Sequence, residues 1–255
     1  KTGQPTSPGD ELCYRLNVQR NGWHVRSSKA VRTALQGFYA LCTHIDHQIR
    51  LVLGTLREEG ILDDTIIVFT ADHGDMLGDH GLIGKTNFYE GSCHVPMIVR
   101  QPGGPSGVVS EDVVSLGDVT ATLLALAGID RPTYYDSRTL PGLGLPDPPR
   151  EQVLGFVAGG LMNTDGHWKW MKNTATGQSH LFNVDEDPLE QTDRQHESTE
   201  TRAIAARLDG KLTRQMLRSI AAGGSDRSIG NLPLWDSESF GQGTWQFDYP
   251  SATPG

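Results

Sequence analysis

An α/β domain followed by a small antiparallel α+β unit is the architecture this sequence predicts, and three observations predict it. A long helical period runs directly into a continuous β-branched and aromatic run at Thr65 to Thr70. A Pro- and Gly-rich stretch from Asp130 to Arg150 then interrupts the chain. Beyond it, short apolar segments are separated by Gly, Asn and Asp, as in an antiparallel sheet. A length of 255 residues allows one large α/β domain, or a domain with a smaller lobe.

Residues 1 to 26 carry little periodicity and open with Pro5, Pro8 and Gly9, so they read as loop or as the tail of something longer. Ser27-Ser28 offers an N-cap, and Val31, Leu35, Phe38, Leu41, Ile45, Ile49, Val52 and Leu56 follow at steps of three and four. That spacing predicts one long amphipathic helix, ended by Gly60. Asp63-Asp64 makes a turn into the strand Thr65 to Thr70, whose unbroken apolar character is that of a strand covered on both faces. Val95 to Arg100 fits a second strand, and Asp118 to Ala127 a helix with Gly128 after it.

After the break, Val153 to Val157, His167 to Met171 and His180 to Val184 read as strands. Ile204, Leu208, Leu212, Met216 and Ile220 give a helix to cover one face of their sheet. Residues from about 221 onward hold Trp235, Phe240, Trp245, Phe247 and Tyr249 among glycines and prolines without a usable period. The predicted divisions are therefore 1–150, 151–222 and an extended aromatic tail, 223–255, that drapes over the body or joins a second copy of the chain as a homo-oligomer.

A hydrophobic content of 36% with 21% charged residues is that of a soluble globular chain, and nothing approaches the roughly eighteen consecutive apolar residues of a membrane span. The net charge of -9 argues against nucleic acid or an anionic membrane as the main partner, although a few local cations can still hold an anionic substrate. Cys13, Cys42 and Cys93 form no C-x-x-C pair and fit a reducing compartment such as a bacterial-type cytoplasm; Cys42, inside the helical period, reads as core.

The chemistry concentrates in "TIIVFTADHGDMLGDHG", residues 65 to 81. Asp72 and His73 follow directly on the buried-looking strand, which would hold both side chains on rigid backbone at the rim of a sheet, where α/β folds gather ligands. A carboxylate beside an imidazole can serve as a pair of divalent-metal ligands; the same pair also fits a solvated turn with Asp72 capping nearby N–H groups. Asp79-His80 has no strand before it and could orient the first pair. Lys85, between Gly84 and Thr86, supplies a compact charge that can grip an oxyanion, or is a surface lysine.

"TIIVFTADHGDMLGDHGLIGK" with "FYEGSCHVPMIV" resembles the C-terminal signature of type I sulfatases and the closely similar phosphonate monoester hydrolases of the alkaline-phosphatase-like superfamily. "YALCTHIDHQIRLVLGTLREEGILDDT", "SLGDVTATLLALAGI", "HWKWMKN" and "HLFNVDEDPLEQTD" extend the likeness over about residues 29 to 222. The resemblance implies the C-terminal part of an α/β/α sandwich plus a small antiparallel subdomain. It implies Asp72 and His73 as ligands of a calcium or manganese ion, and Lys85 as the catalytic lysine on the sulfate or phosphate oxygens. His94 sits where members carry an arginine or histidine, in a structural role.

The family's nucleophile is a formylglycine made within C/S-x-P-x-R, and no such motif occurs: Cys13, Cys42 and Cys93 each lead a different sequence, so formylglycine is not encoded in this chain. The family's upstream acidic ligands are absent from it as well, and His24 does not match the motif of the histidine that protonates the leaving group. The expected function is hydrolysis of a small-molecule sulfate monoester; a phosphate or phosphonate ester hydrolase, or a non-catalytic fragment or pseudoenzyme, are the alternatives.

Overall fold

The computed structural model describes residues 28–132, 136–157 and 159–225, with side chains through residue 219. Cys13, His24 and the aromatic residues of the tail lie outside the described residues. The expected ties of that tail to the body or to a second copy lie there too.

Helix α1 spans Ser28–Glu58. It ends as the glycine requires: Gly60 takes a left-handed φ of 69°, its N–H donates to Arg57 O (3.1 Å), and the N–H of Ile61 reaches back to Leu56 O (3.0 Å), which satisfies the last carbonyls. The expectation of a core-facing stripe is not met. None of its residues is buried, and Phe38, Leu41, Ile45 and Val52 are exposed, because no other element among the described residues covers that face. Cys42 is likewise exposed rather than core.

Strand β1, Ile67–Thr70, starts two residues later than expected and pairs antiparallel with β2, Met97–Arg100. The ladder runs from Ile67 opposite Arg100 to Thr70 opposite Met97, so the C-terminal end of β1 and the N-terminal end of β2 lie side by side. This is a two-stranded sheet, and it is not covered on both faces: Phe69 and Ile98 are exposed. Arg100 clamps the entry to β1, donating to Leu62 O (2.6 Å), Thr65 O (3.0 Å) and Asp63 Oδ1 (2.8 Å).

Between the two strands lies the short helix α2, Glu90–Cys93. Helix α3, Leu116–Leu126, opens with a capping box of Ser115 and Asp118 and closes at Gly128 with the same hydrogen-bond pattern seen at Gly60. Asp118 is almost wholly buried, with Arg150 Nε and Nη2 at 2.8 and 2.5 Å and the N–H groups of Ser115 and Arg138 at 2.9 and 2.8 Å. These bonds, with Arg131 to Asp147 (2.6 Å), fix the described part of the Pro- and Gly-rich segment.

Strands β3 (Val153–Val157), β4 (Gly160–Thr164), β5 (Trp168–Asn173) and β6 (Ser179–Asn183) form an antiparallel sheet in sequential order. Strand β4 escapes the sequence pattern, because Gly160 and a buried Asn163 interrupt its alternation; the Asn163 amide is satisfied by Leu208 O at 2.7 Å. Helix α4 spans Thr199–Ser225, and the chain divides within it into two compact units, the first ending at Leu208 and the second starting at Asp209.

One hydrophobic cluster lies on the face of the sheet opposite Asn163. Met162, Met171 and Phe182 pack with Met76, Leu82, Phe88 and Tyr89 from the segment that joins β1 to β2. Phe88 fills the space left by Gly155 and Gly160, where a Cβ would approach its ring to 2.9 Å. At about 25 cal/mol per Å² of apolar surface, burying Phe88 and Tyr89 alone contributes several kcal/mol toward holding that segment on the sheet. Among the described residues no helix is long and apolar enough to cross a membrane.

Candidate functional site

The segment leaving β1 carries Asp72 and His73, and its local geometry follows from hydrogen bonds that the backbone itself makes. The His73 N–H donates to Asp72 Oδ1 (3.0 Å), and His73 Nδ1 lies 2.8 Å from Gly74 O. A carbonyl only accepts, so Nδ1 carries the proton and the Nε2 lone pair of the neutral ring is left for a ligand. That Nε2 stands 3.4 Å from Asp72 Oδ2. Two ligands each about 2.3 Å from one ion and roughly at right angles would stand about 3.3 Å apart, so this donor pair fits one side of a divalent cation's shell. The Asp72 carboxylate is open to solvent and His73 is about one-third exposed. Among the described residues no third carboxylate, imidazole or thiol joins them in a cluster able to hold a metal.

Asp75 acts differently. Its Oδ1 accepts from the N–H groups of Leu77 (2.9 Å) and Gly84 (3.0 Å), while the Met76 N–H donates to Gly84 O (2.7 Å). These bonds close residues 75–84 into a loop and return the chain to Asp75 and Met76 just before Lys85, which is exposed. Leu77, His80 and Thr86 all have positive φ, at 48°, 54° and 86°. For a β-branched threonine that conformation is costly, and Leu77 and His80 put two more left-handed residues within the 75–84 loop.

His80, expected to orient the first pair, is used elsewhere. Its ring stacks on Tyr89 with centroids 3.9 Å apart, and its Nε2 lies 3.0 Å from Leu189 O. Asp79 is exposed and serves the tight turn, its N–H bonding Met76 O at 2.7 Å. His94 pairs with Glu90, Nδ1 to Oε2 at 2.5 Å, which raises the imidazole above its ordinary range. Cys93 as a residue is exposed, yet its Sγ donates to Phe88 O at 3.1 Å; burial around the sulfur is the main cause that pushes this thiol up to about 11.

Sequence reasoning missed a buried charge cluster next to this segment. Lys169, on β5, is 1% exposed, and its Nζ contacts Glu90 Oε1, stands 2.8 Å from Glu190 Oε1, and donates to Phe88 O at 2.9 Å. Burial lowers the lysine's affinity for its proton, but the surrounding negative groups outweigh it and the amine is held charged. For Glu90, burial works upward, and the bonds from His94 and Lys169 overcome it, leaving the carboxyl at about 2. Burial dominates at Glu190 and raises it. The signal for this cluster was present in "HWKWMKN": Lys169 and Met171 share the face that points to the core.

A sequence model of the sulfatase family matches residues 7–129. The chain is 34% identical over 181 residues to an arylsulfatase of Clostridium perfringens, covering 65% of this chain and 37% of that protein. It superposes on the phosphonate monoester hydrolase of Agrobacterium radiobacter with a TM-score of 0.67 at 26% identity, over 77% of this chain and 44% of that one. A crystal structure from Bacteroides thetaiotaomicron described as a candidate sulfatase gives a TM-score of 0.72 at 22% identity, over 82% of this chain and 48% of that one, and shows the shared α/β fold. The chain thus spans less than half the length of each of these proteins.

Proposed function

Since the chain belongs to the sulfatase branch of the alkaline-phosphatase-like superfamily, we propose that it supplies the metal-edge and oxyanion-gripping part of a sulfuric ester hydrolase. The observation that carries this reading is the convergence of His73 Nε2 and Asp72 Oδ2 at 3.4 Å at the end of β1. Asp72 and His73 would hold a divalent cation, calcium or manganese, together with donors from residues beyond this chain. When bound, such an ion polarises an ester's oxyanion and activates the nucleophile. The nucleophile itself is not encoded in these 255 residues.

The chain's own residues then do three things. The bond from His73 Nδ1 to Gly74 O holds the ring in one tautomer and one orientation, so its free nitrogen needs no reorganisation to meet a ligand. The Asp72 carboxylate, accepting only one backbone N–H among the bonds described, keeps lone pairs for a cation. Lys85, presented at the neck of the loop closed by Asp75 and Gly84, places an ammonium to bind the peripheral oxygens of a tetrahedral anion and to neutralise the charge that grows on them as the ester bond breaks.

The test is hydrolysis of 4-nitrophenyl sulfate beside 4-nitrophenyl phosphate by the full product of the encoding gene, with and without Lys85→Ala. Faster turnover of the sulfate, lost in the variant, supports the reading. Preference for the phosphate moves the substrate to phosphoryl esters, and absence of any turnover leaves a binding fragment in its place.

A further inference from the structure

The buried cluster around Lys169 lies outside the site, yet its contacts run to it without a gap. Lys169 projects from the sheet face shared with Met171 and Phe182, and its polar partners are Phe88 O, Glu90 Oε1 and Cys93 Sγ (3.8 Å) in helix α2 or just before it, and Glu190 Oε1 from the segment after β6. Glu190, itself 2% exposed and held at a positive φ of 52°, turns its other oxygen to accept the Glu90 N–H at 2.7 Å. The first turn of α2 is thus fastened from two sides.

Helix α2 in turn meets the site segment backbone to backbone. The Gly74 N–H donates to Ser92 O at 2.8 Å, and a Cβ on Gly74 would fall 2.2 Å from Gly91 O, so only glycine permits this approach. The carbonyl of the same Gly74 accepts the Nδ1 proton of His73. Gly74 is therefore the single residue between the helix and the imidazole.

Replacing buried ion pairs by apolar groups is often neutral or stabilising, so a wholly enclosed lysine is a poor choice for stability alone and a good one for fixing direction. We propose that Lys169, with Glu90 and Glu190, is a positioning device for His73: it locks helix α2, and through Ser92 and Gly91 locks the Gly74 peptide that sets the tautomer and orientation of the ring. The inference rests on the reading of His73 as a metal ligand, and it assigns to the small antiparallel sheet a part in building the site.

The test uses the whole chain and needs neither metal nor substrate. Side-chain ¹⁵N resonances of His73 report the Nδ1–H tautomer at a pH where imidazoles are neutral, and hydrogen exchange reports the Gly74 amide. In Lys169→Met the Nδ1–H tautomer should lose its dominance and Gly74 exchange should quicken about tenfold or more, with the amides of α3 unchanged. Glu190→Gln, which keeps size and shape, should shift both readouts in the same direction by several-fold, and it decides the matter if Lys169→Met does not fold. A folded variant with an unaltered His73 tautomer and unaltered Gly74 protection overturns the proposal. Shifts in both readouts in a protein that hydrolyses no sulfate ester would leave the positioning role standing and remove the enzymatic reading; sulfate hydrolysis without the shifts would do the reverse.

Discussion

Asp118 and Arg150, 32 residues apart in the chain, meet in a two-pronged ion pair at 2.5 and 2.8 Å, with the carboxylate closed off from solvent. The same carboxylate completes the capping box of α3 and accepts the Arg138 N–H, so one side chain joins a helix start to a segment that has no regular structure of its own. Removing it leaves a guanidinium and two backbone donors without their acceptor. Asp118→Ala should cost about 3 kcal/mol or more, read as a lower midpoint in urea denaturation. Arg150→Met, which leaves the cap intact, should cost less.

Gly74→Ala probes the closest approach in the site. A methyl group 2.2 Å from Gly91 O cannot be accommodated without moving either α2 or the residue after His73. A destabilisation of about 2 kcal/mol is expected, visible as a fall in melting temperature. Gly91→Ala is the control, since its Cβ would meet nothing nearer than Met76 Sδ at 3.4 Å, and it should be tolerated far better.

Lys85→Ala in the full gene product should lower turnover of an aryl sulfate by about a hundredfold or more, the usual loss when one donor to a developing oxyanion is removed. Stability should be unchanged within about 0.5 kcal/mol, because the residue is exposed. Near-normal turnover in the steady-state assay would discard the lysine's assigned role.

Acid should loosen α2 through Glu90. Its folded carboxyl sits at about 2, below the ordinary 4.5, so the stability it contributes is present above pH 4.5 and is lost as pH falls from there toward 2. Glu190, shifted upward, acts in a different window: its contribution changes only above pH 4.5, where stability falls as the buried carboxyl ionises. His94, raised above 6.5, adds stability at low pH that fades as pH rises through its folded value. Unfolding free energies measured across pH 2 to 5 should therefore slope less steeply for Glu90→Gln than for the parent chain.

Cys93 and Cys42 should separate in thiol labelling. The Cys93 thiol, pushed up to about 11, holds little thiolate at neutral pH, whereas Cys42 lies exposed on α1 with no such burial. Peptide mapping after brief iodoacetamide treatment should find Cys42 modified well before Cys93.

What the sequence made legible was local. Gly60 and Gly128 end their helices where the pattern placed them, and three of the four strands of the antiparallel sheet stood out from their turn residues. The placement of Asp72 and His73 just after a strand was readable from the apolar run that precedes them. Other features depend on partners remote in the chain. The apolar stripe of α1 and the faces of Phe69 and Ile98 look buried by period, yet burial requires a covering element, and the described residues supply none. His80 shares the Asp-His spelling of the first pair but finds Tyr89 and Leu189 instead. Lys169 would pass for a solvated lysine until its face of β5 is known to be the inner one.

The pairing of Thr70 with Met97 has a consequence for how this molecule can change. Residues 71–96 leave and rejoin the structure at one rung, and closing a loop twice as long would cost only about 0.6 kcal/mol more in entropy. Insertions at its exposed tip are therefore cheap. A single residue added or removed within Ile67–Thr70 is not, because it slips the register and turns every side chain of the strand to the opposite face. Length variation that reshapes the surroundings of the site should accumulate in the excursion, while the two short strands that bound it keep their count.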